Sequence, residues 1–177
     1  RPNRIFEGAN EIMVQFIFRE GTDRYIKAGL PLMSPGSSVA DKLGAVMKMA
    51  GYYMDTFVPS DIPPGSSVLL GHMEFVDRQS RRLARRIITT SARYRARLAV
   101  KQLVLDRFSR IAIELGAMAL TCAFARQLDG EMNTAGYHTD LADVFCRAST
   151  TEVEALFKAL GKNDDAFRYR VSKRILA

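Results

Sequence analysis

The stretch VLDRFSRIAIELGAMALTC, residues 104–122, decides the fold. Val104, Phe108, Ile111, Leu115, Met118 and Cys122 recur at steps of 4, 3, 4, 3 and 4, the spacing that gathers side chains on one stripe of an α-helix and makes a seam for neighbouring helices. Asp106, Arg107, Arg110 and Glu114 are among the residues between them. No Gly or Pro separates this helix from the one before it, which spans about His72 to Leu98 with Val76, Leu83, Ile87, Tyr94 and Leu98 as its buried stripe. The seam helix is expected to end near Asp129-Gly130.

Working outward, the same helical period recurs. A fifth helix is expected from about His138 to Leu160, burying Leu141, Phe145, Ala148, Val153, Leu156 and Leu160 and stopped by Gly161. A short last helix follows Asn163, with Phe167, Val171 and Ile175 on one face. Towards the start, Glu11 to about Ala28 forms a helix with Asn10 as N-cap, ended by Gly29-Leu30-Pro31. Ser38 caps a helix over about Val39 to Phe57, whose apolar stripe is Val39, Leu43, Val46, Met47, Ala50, Met54, Phe57 and Val58. Pro59, Pro63, Pro64 and Gly65 mark a linker. Strand signals are confined to short runs such as Ile87-Ile88-Thr89-Thr90 inside longer helical patterns, so the chain is expected to be all-α. Three parts follow: 1–30 and 31–71, the second being an amphipathic helix with its linker, then 72–177, an antiparallel, four-helix-like bundle.

The bulk numbers agree with a folded protein. The chain has 177 residues, 47% of them hydrophobic and 25% charged, and a net charge of +7; neither disorder nor a fibrous composition fits. The apolar run Leu115 to Ala125 is interrupted by Gly116 and Thr121 and falls short of a membrane span of roughly 18 residues. Cys122 and Cys146 form no C-x-x-C pair and sit in apolar patterns, as buried thiols do. His72 and His138 each lack a second ligand three or four residues on, so no metal site is expected. Residues 71–110 hold 11 Lys or Arg against 3 Asp or Glu, densest over Arg78 to Arg86. Such a surface suits anionic membrane or nucleic acid, and a basic helical binding module is the alternative reading. Thin aromatic interleaving disfavours nucleic acid, and a solvated face paired with acids elsewhere is the simpler account.

One motif carries chemistry. Arg4-Ile5-Phe6-Glu7-Gly8-Ala9-Asn10-Glu11-Ile12 resembles the acyl-CoA dehydrogenase pattern R-I-[FY]-E-G-T-N-[DE]-I over nine positions, and the helical remainder resembles the extra C-terminal domain of the very-long-chain branch. The resemblance implies the C-terminal portion of an FAD enzyme that α,β-dehydrogenates long-chain acyl-CoA in fatty acid β-oxidation. It assigns Glu7 as catalytic base, Gly8 to the thioester, and Ala9, Asn10 and Glu11 to FAD. It implies homodimerisation in the complete enzyme, an electron-transfer flavoprotein as acceptor, peripheral membrane contact, and a bacterial cytoplasmic or eukaryotic mitochondrial setting. Ala9 departs from the pattern's Thr, removing a hydroxyl to the cofactor. Arg1 is not a translation start, so the family's earlier domains are expected upstream. Residues 1–177 alone are then expected neither to bind FAD nor to turn over.

Overall fold

A computed structural model describes residues 10–62, 66–132 and 136–176. Among these the chain is helical and holds no strand, as the sequence predicts. Six α-helices follow in order: α1 Asn10–Met33, α2 Val39–Asp55, α3 Ser67–Tyr94, α4 Gln102–Met132, α5 Tyr137–Gly161 and α6 Asp165–Leu176. A 3₁₀ helix, Arg95–Val100, joins α3 to α4.

The predicted seam is the core. Phe108, Ile111, Leu115, Met118 and Cys122 of α4 are all buried, and Ala125 continues them one turn further. α5 packs along this seam and α3 packs beside it; Leu69, Phe75, Val76 and Leu83 of α3 join the same cluster. α3 and α5 run parallel to each other, as His72–Asp143 and Arg82–Phe157 contacts show, and α4 runs antiparallel between them. α1 takes a further place against α4. By length and composition α4 could cross a membrane, contrary to the expectation from sequence. Its apolar seam faces the bundle instead.

Several expectations need correction. α3 and α4 are not nearly continuous: Arg95 adopts φ +48°, a left-handed conformation costly for a residue with a Cβ, and the 3₁₀ turn after it reverses the chain. α1 runs through Gly29 and Pro31 to Met33, because a proline in the last turn removes only one amide from the ladder; Asn10 lies within it rather than capping it. The first half of α5 is rotated from its predicted phase, while Val153 and Leu156 in the second half are buried as expected. Leu141, Phe145 and Ala148 are exposed, while Ala142, Cys146, Ser149, Val153, Leu156 and Phe157 are buried. Small residues in that half let α5 approach α4 closely, and close packing outweighs the burial of a bulkier face.

The caps are built as helix chemistry requires. Ser38 and Asp41 form a capping box on α2: the Asp41 amide donates to Ser38 Oγ at 3.1 Å and the Ser38 amide donates to Asp41 Oδ2 at 3.1 Å. α5 begins after Gly136, φ +87°, which has no side chain to cap it. Asp129, at the end of α4, does so instead. Its carboxylate accepts from the His138 amide at 3.1 Å and from the Thr139 amide and hydroxyl at 2.9 and 2.7 Å. The positive end of α5 favours that negative charge.

α2 is the clearest departure. Of its predicted apolar stripe, Val39, Leu43, Val46, Met47 and Met54 are exposed, as are Phe57 and Val58 just beyond it, and Ala45 is the buried residue of the helix. α2 docks through its other edge, where Tyr52 meets the Tyr25 ring edge-on at 5.5 Å and Arg24 lies over both rings. In α6, Phe167, Val171 and Ile175 do share a face, and it too is exposed. Polar contacts hold α6: Asp165 accepts both Arg107 guanidinium bonds, at 2.6 and 2.7 Å.

Met118→Ala should cost about 2–5 kcal/mol in urea unfolding, since a fully buried side chain leaves a cavity. Leu120→Ala, two residues on and 74% exposed, should change stability by less than about 0.5 kcal/mol.

Candidate functional site

Glu7, Gly8 and Ala9 lie outside the described residues. Asn10 and Glu11 are the first described residues of α1. Of the described side chains of α1, Phe16, Arg19 and Glu20 are exposed and Thr22, Tyr25 and Ala28 are buried.

The described clefts lie elsewhere. An apolar cleft of about 400 Å³ runs between α1, α3 and α4, walled by Gly21, Ser80, Ala84, Ala112 and Gly116. It is the gap left where small residues of three helices face one another.

The arginine stretch is largely consumed by the fold. Arg85 Nη1 donates to the Thr56 carbonyl at 2.8 Å and covers the Phe57 ring at 4.9 Å. Arg81 pairs with Asp77 at 2.7 Å, and Asp77 also accepts the Ser60 amide at 3.2 Å. Arg82 donates to Gln79 and lies 4.2 Å from the Phe157 ring centre. Arg81 and Arg85 thus grip the carbonyl end of α2, the pole of a helix that attracts cations. The Asp77–Arg81 pair at i, i+4 is visible in sequence; the backbone carbonyls that Arg85 seeks are not.

Both histidines gain carboxylate partners from other helices. His72 Nε2 lies 2.7 Å from Asp143, which also holds Arg147, and His138 Nδ1 lies 2.9 Å from Asp129. Arg147 first, then His72, hold the Asp143 carboxyl below the ordinary aspartate range. Among the described residues no three His, Cys, Asp or Glu side chains gather as metal ligands would. Cys122 and Cys146 are buried free thiols with sulfurs 3.7 Å apart. The contact with Cys122 and burial push the Cys146 thiol far above its ordinary range, so it stays protonated and inert as a nucleophile.

Beside the all-helical bundle, comparison with known proteins supports the family that the motif resembles. The chain is homologous over nearly its whole length to a protein of the acyl-CoA dehydrogenase class. That relative is the "Probable acyl-CoA dehydrogenase FadE10" of Mycobacterium tuberculosis (strain H37Rv) and of Mycobacterium bovis, each 35% identical over 187 aligned residues that take in 99% of this chain. The chain spans 28% of the length of these curated relatives. It matches no protein-family model and no solved structure.

Burial pushes the Asp77 carboxyl up, but the Ser60 hydrogen bonds and the Arg81 guanidinium outweigh it and hold the group below the ordinary range. An aspartate lowered on folding stabilises fully above its unfolded pKa of about 3.9 and loses that contribution as pH falls through the folded value. Asp77→Asn should therefore lower the urea midpoint near neutral pH and flatten its decline below about pH 4.

Proposed function

We propose that this chain is the C-terminal portion of an FAD-dependent acyl-CoA dehydrogenase of the very-long-chain type, acting on long-chain acyl-CoA in fatty acid β-oxidation. Homology to a dehydrogenase along 99% of the chain carries this reading, and the nine-residue motif at Arg4–Ile12 supplies its chemistry. Residues 1–30 end the catalytic helical domain, 31–71 link, and 72–177 form the accessory helical domain. The rest of the dehydrogenase chain is the first partner, with a second copy and an electron-transfer flavoprotein beyond it.

In this reading the Glu7 carboxylate takes the α-proton of the acyl thioester. For that it must be partly desolvated, so that its pKa rises towards working pH. Gly8, with no Cβ, lets the backbone come close to the thioester. Asn10 and Glu11 would hold FAD; amides at the start of a helix suit an anionic cofactor oxygen. Bound flavin supplies the acceptor for the β-hydrogen. Ala9 offers no hydroxyl where the pattern has Thr, so backbone donors carry that contact.

In the complete enzyme, Glu7→Gln should leave the fold and flavin content unchanged and lower kcat by about 10²-fold or more, the scale of general-base catalysis. Retained turnover would remove Glu7 from the base role. Residues 1–177 alone should bind no FAD, and a yellow, active preparation of them would overturn the three-part reading.

A further inference from the structure

The fold leaves part of the arginine run unused. Arg86 and Arg93 make no salt bridge with a described residue, and with Thr90 they follow one another along a single stripe of α3 at i, i+4 and i+7. That stripe walls a second cleft, of about 440 Å³, between the end of α3, the start of α4 and α6. Lys101 and Tyr169 face it from the other side. Arg86 and Arg93 are exposed and Lys101 is half-buried.

The charge balance in the cleft is one-sided. Asp165 is the one carboxylate among the described lining residues, and Arg107 already holds both its oxygens. Lys101 Nζ rests 4.7 Å from the Tyr169 ring centre, and the Arg93 guanidinium lies 5.7 Å from that of Tyr94. The rings thus hold two of the cations at the cleft. The Tyr169 hydroxyl accepts the Leu103 amide at 3.4 Å, which leaves its own proton to donate. Three cations and the hydroxyl-bearing Thr90, Tyr94 and Tyr169 line one concavity, whose one described carboxylate is neutralised. Guanidinium forks match phosphate oxygens in shape, and a concave wall strengthens their field.

We propose that this cleft is a phosphoryl-binding site, in which Arg86, Arg93 and Lys101 hold the phosphate of a small phosphorylated molecule or a lipid headgroup, with Thr90 and Tyr169 as neutral donors. Titration calorimetry of the full chain with inorganic pyrophosphate at low ionic strength tests it. One saturable site is expected, weakened about tenfold by Arg86→Gln, Arg93→Gln or Lys101→Gln, since each removes a charge-assisted bond. Lys101→Arg should retain binding. Arg78→Gln, an exposed change on the same helix away from the cleft, should leave it unaltered. In a second arm, sedimentation with phosphatidylcholine vesicles, with and without phosphatidylglycerol, separates the sources. Capture by the anionic vesicles that the same three variants abolish assigns the cleft to headgroups; pyrophosphate saturation without such capture assigns it to a soluble ligand. No saturable binding in either arm, or binding that the three variants weaken no more than Arg78→Gln does, would overturn the site.

Discussion

The close approach of α4 and α5 governs the rest of the structure. α4 brings large side chains, Phe108, Ile111, Leu115 and Met118, and α5 meets them with Ala142, Cys146, Ser149 and Val153. Large against small lets the axes come near enough for the Cys122 and Cys146 sulfurs to touch, and it fixes the rotation of α5. That rotation in turn sets where Asp143 meets His72 and where Phe157 receives Arg82. α3 is held by the same cluster, and through Arg81 and Arg85 it positions the end of α2.

How far this was legible in the sequence depends on side-chain size. The α4 seam could be read because its core positions are its largest apolar ones. α5 could not be phased from the same rule: its core positions are small at one end, and Leu141, Val144 and Phe145 stand outside. Periodicity showed that α2 is amphipathic but carries no information about what covers a stripe, and nothing in the described fold covers Val39, Leu43 or Met47. The break at Arg95 escaped because a left-handed arginine has no signature of its own.

The site was legible in a different way. Glu7 was singled out by the order of its neighbours, a pattern of residue types that periodicity does not produce. The placing of Asn10 as a cap followed from ordinary capping chemistry, but Asn10 lies within the helix. The partners of the arginine run were hidden because three are main-chain or ring atoms contributed by residues 24 to 75 positions away. Charge counting sees an excess of cations; it does not see which of them a carbonyl or an aromatic face has already taken.

The uncovered faces of α2 and α6 bear on how this polypeptide behaves in solution. A helix that shows Val39, Leu43, Val46 and Met47 to water presents an apolar strip of the kind that drives self-association. The excess of positive charge opposes it by keeping molecules apart, and salt weakens that opposition. Colloidal behaviour should therefore turn on ionic strength: dispersed in dilute buffer, clustering as counterions are added, and dispersed again by mild detergent.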